Sequence, residues 1–109
     1  MHLICMGINH KTASIDTREK FSLSKDQIRQ KLNEFDEAVI LSTCNRMEIY
    51  SVTESESLAN QLHYFYRDEE CIRHLFSVAS SLDSLILGEG QILSQVKDAY
   101  RFAKNLGKT

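Results

Sequence analysis

A chain of 109 residues can bury one hydrophobic core without disulfides or a structural metal, so a single domain is expected. Hydrophobic residues make up 42% and charged residues 26% of the sequence, which excludes a disordered chain. The formal net charge of −2, with basic residues scattered among acids, excludes the basic stripe of a typical nucleic-acid-binding domain.

The first apolar run, residues 3–8, is too short to cross a membrane and lacks a signal-peptide pattern, so we expect a cytoplasmic protein with no membrane contact. Cys5, Cys44 and Cys71 are widely spaced and form no Cys-x-x-Cys pair. This spacing predicts neither a disulfide framework nor a zinc site. We therefore expect reduced thiols and no bound metal.

The first predicted element is a strand over residues 3–8, because it is apolar on both alternating faces, as in a central strand. A helix is predicted to begin after Ser24, because Ser24 can cap it and Gln27 completes a capping box. Leu23 can pack against Ile28 across the start of this helix. Its apolar face contains Ile28, Leu32 and Phe35.

Two further strands are predicted at residues 38–41 and 47–52, with residues 43–46 turning the chain between them. So short a connection requires an antiparallel pair, since parallel strands need a long crossover. A short helix at 57–61 and an aromatic strand at 63–66 follow. This order predicts an α+β fold, a ferredoxin-like β-α-β-β-α-β antiparallel sheet backed by helices and followed by two further helices.

The first of these two helices is predicted to run from Asp68, as its N-cap, towards Leu87. Its main apolar stripe is Ile72, Leu75, Phe76, Ala79, Leu82 and Ile86, widened by Cys71, Val78 and Leu85. Gly107 is placed to stop the second helix. The apolar face of that helix is Ile92, Val96, Ala99, Ala103 and Leu106.

Cys44 lies in a tight turn after a buried strand, beside polar residues. Such a turn can direct backbone N–H groups at one point, which lowers the pKa of a thiol and binds an oxyanion. We therefore consider Cys44 a candidate nucleophile. The competing interpretation is an unreactive cysteine that closes a hairpin.

Two other side chains are candidates for the same chemistry. Arg46 could hold a carboxylate through two parallel hydrogen bonds, or it could be a solvated arginine at the start of a strand. His74 could polarise a carbonyl or move a proton, or it could be a histidine at the edge of the core. The Gly88-x-Gly90 pair does not make a dinucleotide fingerprint, because Leu93 stands at the position of the third glycine.

Five segments resemble, in order, the motifs of the glutamyl-tRNA reductases. They are residues 7–13 (GINHKTA), 41–46 (LSTCNR), 74–79 (HLFxVA), 82–89 (LDSLxLGE) and 91–97 (QILxQVK). The resemblance implies that Cys44 is the catalytic nucleophile and that His74 is a histidine linked to activity. It implies a substrate pocket made of Thr43, Cys44, Asn45, Arg46, Ser84, Glu89, Gly90, Gln91 and Gln95.

This sequence departs from the family pattern in three places. Ser14 and Gly90 stand where the family has proline, and the stretch between Tyr50 and His63 is shorter. None of these departures removes a reactive group.

The resemblance implies that Cys44 forms a thioester with glutamate taken from glutamyl-tRNA. NADPH would reduce this thioester to glutamate-1-semialdehyde for tetrapyrrole (porphyrin) biosynthesis. Residues 1–109 would be a fragment, the N-terminal catalytic domain, without the NADPH-binding and dimerisation domains. The resemblance thus implies a homodimer formed through a missing domain, and an aminomutase as the partner that takes the aldehyde.

Two other classes of protein remain open. One is a catalytically silent regulatory or partner-docking module of the same fold, against which the presence of Cys44, Arg46 and His74 argues. The other is an RNA-binding domain with a ferredoxin-like sheet, which the charge and the lack of an aromatic stacking motif disfavour.

Overall fold

The structure is a computed structural model that describes residues 2–53, 62–80 and 92–109. Four strands form one antiparallel sheet in the order β2-β3-β1-β4. They are β1 (His2–Asn9), β2 (Ala38–Ser42), β3 (Arg46–Thr53) and β4 (Tyr64–Arg67). The helices of the described ranges are α1 (Ile15–Phe21), α2 (Lys25–Leu32), α3 (Glu69–Ala79) and α4 (Ile92–Asn105). The predicted α+β class is confirmed, while the helix predicted at 57–61 lies outside the described residues.

The start of α2 is set by local hydrogen bonds that the sequence predicts. The backbone N–H of Gln27 donates to Ser24 Oγ at 3.2 Å, and the backbone N–H of Ser24 donates to Gln27 Oε1 at 2.8 Å. These two bonds satisfy N–H groups that a helix N-terminus otherwise leaves without partners. The predicted capping box is therefore confirmed.

Helix α1 was not predicted from the sequence. Its N-cap is Ser14, whose side chain accepts a hydrogen bond from the backbone N–H of Thr17 at 3.3 Å. The helix has no buried residue, and Ile15 is 64% exposed. It therefore has no apolar stripe from which a helical period could be recognised.

Asp68 occupies the N-cap position of α3, but the predicted capping role is wrong, because its side chain makes no capping hydrogen bond. The carboxylate instead accepts a hydrogen bond from the backbone N–H of Leu3 at 3.2 Å and bonds the His2 ring at 2.9 Å. Asp68 therefore ties the start of α3 to β1. Residues 81–87 of the helix predicted here lie outside the described residues.

The predicted main stripe of α3 is wrong at Ile72 and Phe76, whereas Leu75 packs against the core as predicted. Leu82 and Ile86 lie outside the described residues. Ile72 is 46% and Phe76 is 70% exposed, whereas Cys71 and Val78 are buried. The helix is rotated so that Cys71, His74 and Val78, spaced i, i+3 and i+7, face the sheet. The rotation brings a polar side chain, His74, into the interior.

The two faces of the sheet are covered by different helices. On one face, Met6, Ile40 and Ile49 pack with Leu32 of α2. On the other face, Cys5 and Tyr50 pack with Cys71 of α3. Side chains alternate between faces along a strand, so α2 and α3 lie on opposite sides of the sheet.

Gly107 ends α4 as predicted. Its φ of 74° is left-handed, its backbone N–H donates to Lys104 O at 2.9 Å, and Lys108 N–H donates to Ala103 O at 2.9 Å. This is the Schellman arrangement that closes a helix. The carbonyl of Lys108 then accepts a hydrogen bond from the backbone N–H of Ala38 at 2.9 Å, which joins this segment to β2. Within the described ranges, no helix is long and apolar enough to span a membrane.

Gly7 lies at the centre of a row of three residues that crosses the sheet. It pairs with Glu48 of β3 on one side and with Tyr64 of β4 on the other. A Cβ atom at residue 7 would lie 2.6 Å from Met47 O, 2.8 Å from the Tyr64 hydroxyl and 2.9 Å from Glu48 Cγ. Glycine is therefore required for Glu48 and Tyr64 to meet above β1.

Gly7→Ala is expected to lower the free energy of unfolding by about 2 kcal/mol, because one of the crowded atoms is a backbone oxygen that cannot move alone. Urea unfolding measures this loss. The comparison is Gly107→Ala, where nothing lies within 4 Å and only left-handed strain of about 1 kcal/mol is added. A Gly7→Ala protein as stable as the unsubstituted chain would contradict the crowding argument.

Candidate active site

The turn between β2 and β3 presents Cys44 to solvent. The backbone N–H of Thr43 donates to Arg46 O at 2.8 Å, and the backbone N–H of Asn45 donates to Thr43 Oγ1 at 3.2 Å. These bonds hold the turn closed around Cys44. A thiol held at such a position can be reached by a large substrate.

Beside this turn, a carboxylate is buried inside the domain. Glu48 is wholly buried, and Tyr50 donates its hydroxyl hydrogen bond to Glu48 Oε1 at 2.9 Å. Tyr64 and His74 both hydrogen-bond Glu48 Oε2. Arg46 Nη1 lies 3.7 Å from the same oxygen, and the side chains of Arg46 and Glu48 are both 0% exposed. Two predicted site residues, Arg46 and His74, thus meet at one buried carboxylate.

The surroundings keep Glu48 ionised. Burial alone raises the pKa of its carboxyl, but the hydrogen bond from His74, the Tyr64 hydroxyl and the Arg46 guanidinium together hold this pKa below its usual value. Burial and the neighbouring Glu48 charge raise the pKa values of Tyr50 and Tyr64. Both tyrosines therefore stay protonated and act as hydrogen-bond donors to Glu48.

The imidazole of His74 is held in position by aromatic rings as well as by Glu48. Its ring stacks on Tyr66 with centroids 4.7 Å apart and an interplanar angle of 30°. The Tyr64 ring lies 5.3 Å away at 56°. Because an ionised carboxylate only accepts hydrogen bonds, Nε2 of His74 is the donor to Glu48. With 9% of its side chain exposed, His74 lies at the edge of the core, and its bond to Glu48 also places it in the candidate site.

The remaining predicted site residues fall into two groups. Gln95 lies on α4, and with Ser42, next to the Cys44 turn, it lines a groove of about 600 Å³ between α2 and α4. Its Oε1 atom is buried without a hydrogen-bond partner among the described residues. Four others lie outside the described residues, namely Ser84, Glu89, Gly90 and Gln91.

Sequence reasoning missed Glu48, the residue on which the buried network depends. The available signal was a single charged residue inside a strand, residues 47–52, that is otherwise apolar or small. A buried charge in such a strand lowers the stability of the fold unless it is paired, so a single glutamate there indicates buried partners.

Cys44 is expected to be alkylated roughly 100-fold faster than Cys5 or Cys71 at neutral pH. Cys44 is exposed, whereas Cys5 is 0% and Cys71 is 1% exposed. Labelling a buried thiol requires a local opening, and an opening that costs about 3 kcal/mol slows labelling by this factor. Brief treatment with iodoacetamide followed by peptide mapping measures the three rates. Faster labelling of Cys5 or Cys71 would contradict the assignment of Cys44 as the accessible thiol.

Comparison with known proteins gives one consistent result. The family model for the glutamyl-tRNA reductase N-terminal domain matches residues 6–109. Glutamyl-tRNA reductases of Trichlorobacter lovleyi and Idiomarina loihiensis are 44% and 46% identical to the chain, over 94% and 95% of its length. The structure of glutamyl-tRNA reductase from Methanopyrus kandleri superimposes with a TM-score of 0.86 at 37% identity, covering 98% of this chain and 29% of that one.

The match is confined to one part of these relatives. The chain spans 30% of the length of the Trichlorobacter lovleyi and Idiomarina loihiensis proteins. Sequence identity, the fold and the matched family model agree with one another over nearly the whole chain. The chain therefore belongs to the glutamyl-tRNA reductase family and matches its N-terminal domain.

Proposed function

We propose that this chain is the catalytic domain of a cytoplasmic glutamyl-tRNA reductase, which transfers glutamate from glutamyl-tRNA to Cys44 as a thioester. The observation that carries the proposal is the exposed Cys44 turn beside the buried Glu48, His74 and Arg46 network. Membership of the glutamyl-tRNA reductase family supports the identity of the substrate.

In the proposed reaction, the Cys44 thiolate attacks the carbonyl carbon of the glutamyl ester. The ester C–O bond breaks, the 3′ hydroxyl of the tRNA leaves with a proton, and a glutamyl thioester remains on Cys44. A thioester is less stabilised by resonance than an ester, so its carbonyl is easier to reduce. The backbone N–H groups of the turn can stabilise the oxyanion that forms during the attack.

Glu48 acts in this proposal as a positioning residue. Its bond from His74 Nε2 fixes the tautomer in which Nδ1 is the acceptor, so Nδ1 is the atom that moves a proton during thioester formation. Glu48 also holds Arg46, whose guanidinium anchors a carboxylate of the substrate. Because Arg46 is enclosed, the substrate reaches it by displacing groups that now cover it.

The rest of the proposed substrate pocket surrounds this centre. Thr43 and Asn45 flank the nucleophile in the turn, and the unsatisfied Oε1 of Gln95 is suited to an ammonium or hydroxyl donor of the substrate. Four pocket residues come from the family motif alone: Ser84, Glu89, Gly90 and Gln91.

The glycines that the structure describes do not form a dinucleotide site. The glycines of the described ranges are Gly7, whose Cβ position is filled by other atoms, and Gly107, which follows the last helix. Neither starts a phosphate-binding turn before a helix. In the proposal, NADPH is held by another domain and supplies the hydride that gives glutamate-1-semialdehyde for tetrapyrrole synthesis. The aldehyde then passes to an aminomutase, and the full-length protein dimerises through a further domain.

Mass spectrometry of the chain mixed with glutamyl-tRNA tests the proposal. We expect one glutamyl adduct, mapped to Cys44 and absent when uncharged tRNA is used. A chain whose Cys44 is readily alkylated but never glutamylated would instead favour the second candidate, a catalytically silent regulatory or partner-docking module.

A further inference from the structure

Folding brings together four potential metal ligands that are far apart in the sequence. One ligand atom each of Cys5, Glu48 and His74 lie within 4.8 Å of one another. Cys71 packs on Cys5 and shares a hydrogen bond with it. Cys71 and His74 are one helical turn apart on α3 and face Cys5 on β1. Cys5, Glu48 and the two α3 residues become neighbours only when α3 packs on the sheet, so the absence of a Cys-x-x-Cys pair does not reveal this cluster.

We propose that Cys5, Cys71, His74 and Glu48 form a buried site for a zinc-like divalent cation. Thiolate, imidazole and carboxylate are the groups that bind zinc, and four of them complete its preferred tetrahedron. Sulfur ligands select Zn²⁺ over Mg²⁺ and Ca²⁺, which prefer oxygen.

The present separations are close to those that a bound ion needs. Bonds of about 2.0–2.3 Å place the ligand atoms of a tetrahedral site about 3.3–3.8 Å apart. The three atoms of Cys5, Glu48 and His74 are within 4.8 Å of one another, so shifts of about an ångström bring them to these separations. Cys71 is not one of these three; it contacts Cys5, and its thiol must turn toward the other ligands to complete the tetrahedron. The cation takes the place of the His74 Nε2–H that Glu48 now accepts, and this proton moves to Nδ1. With the ion bound, Nδ1 is therefore no longer the acceptor that the proposed thioester step uses.

The net charge of the buried cluster is the same with and without the ion. With both cysteines as thiols, the ion-free cluster balances the Glu48 carboxylate with Arg46, whose Nη1 is 3.7 Å away. A dication that displaces the two thiol protons to solvent adds two positive charges and creates two thiolates. The interior therefore stays neutral, which a low-dielectric environment requires.

Binding of such an ion changes the protonation state of the thiols. Burial raises the pKa of Cys5, so this sulfur is protonated in the absence of a cation. A coordinating metal removes the proton from a thiol outright. Affinity then couples to folding, because the unfolded chain does not hold the four groups together.

Titration of the reduced chain with Co²⁺, a spectroscopic substitute for Zn²⁺, tests this site. We expect one equivalent to produce a thiolate-to-cobalt charge-transfer band and the intense visible bands of tetrahedral cobalt. Added Zn²⁺ should remove these bands and raise the thermal unfolding midpoint by mass action.

Three variants distinguish this site from surface binding. Cys5→Ala and Cys71→Ala should each weaken cobalt binding more than about 100-fold and lose thiolate intensity, since even outer-shell changes cost 10–100-fold. Cys44→Ala removes the exposed thiol and should leave the cobalt affinity unchanged. Circular dichroism without metal shows whether each variant is folded. If only one of Cys5→Ala and Cys71→Ala folds, that variant alone tests the site.

Three results would overturn the proposal. The first is a cobalt spectrum without thiolate intensity in the unsubstituted chain. The second is equal cobalt binding in a folded Cys5→Ala or Cys71→Ala protein, which would indicate adventitious binding at surface groups such as the exposed His2 and Asp68 pair. The third is loss of the signal in Cys44→Ala alone.

Discussion

Replacing Cys44 with serine is expected to slow the release of tRNA from glutamyl-tRNA by at least about 1000-fold, because the nucleophile of the thioester step is lost. A serine hydroxyl is almost wholly protonated near neutral pH and needs an aligned base to react. The unsubstituted chain should accumulate the thioester and lose it slowly to water as free glutamate. It would then act as a weak esterase rather than a reductase. Single-turnover measurements of released tRNA and free glutamate follow both steps.

The control for this variant is its stability. Cys44 is exposed, so Cys44→Ser should change the free energy of unfolding by less than about 0.5 kcal/mol. Lost activity would then reflect chemistry and not unfolding. A serine variant that releases tRNA at the unsubstituted rate would refute the nucleophile assignment. So would inactivity of both this chain and a longer one that lacks only the NADPH domain, provided that Cys44 is reactive in each.

Glu48→Ala is expected to lower the free energy of unfolding by about 3–5 kcal/mol, the range for removing one partner of a buried ion pair. The variant deprives the buried Arg46 of its anionic neighbour. It also removes the acceptor that Tyr50, Tyr64 and His74 now share. Since small domains are stable by about 5–15 kcal/mol, much of the total would be lost. Chemical denaturation followed by circular dichroism measures the change.

Glu69→Ala is the matched control. Glu69 pairs with Arg73 at 2.8 Å, but both side chains are more than 70% exposed. Solvent screens this pair, so its loss should cost no more than about 0.5 kcal/mol. Equal losses in Glu48→Ala and Glu69→Ala would show that the buried network does not stabilise the domain.

Elements with strong local signals were predictable from the sequence. The Ser24 capping box, the strand beginning at Ala38, the turn at Cys44 and the stop at Gly107 each depend on residues a few positions apart. Such signals act through nearby backbone groups and need no knowledge of the tertiary structure. Helix α1 gave no such signal beyond Ser14, because none of its residues is buried and it has no apolar stripe.

The interior of the candidate site could not be predicted in this way. Glu48 is balanced by residues on β3, β4 and α3, up to 26 positions away in the chain. The face of α3 that packs on the sheet could not be predicted either. Phe76 is more apolar than His74, yet Phe76 is exposed to solvent. Tertiary contacts decided the rotation, because a buried carboxylate needs donors more than the sheet needs another apolar side chain.

The row of Glu48, Gly7 and Tyr64 also limits which substitutions this sequence can tolerate. A side chain at residue 7 would collide with both neighbours and with the Met47 carbonyl, so no single compensating change makes room for it. Tyr64→Phe, for example, removes the crowding hydroxyl but takes a donor from Glu48. We therefore expect substitutions at these three positions to have non-additive effects on the free energy of unfolding, because each residue fixes the space or the partner of the others.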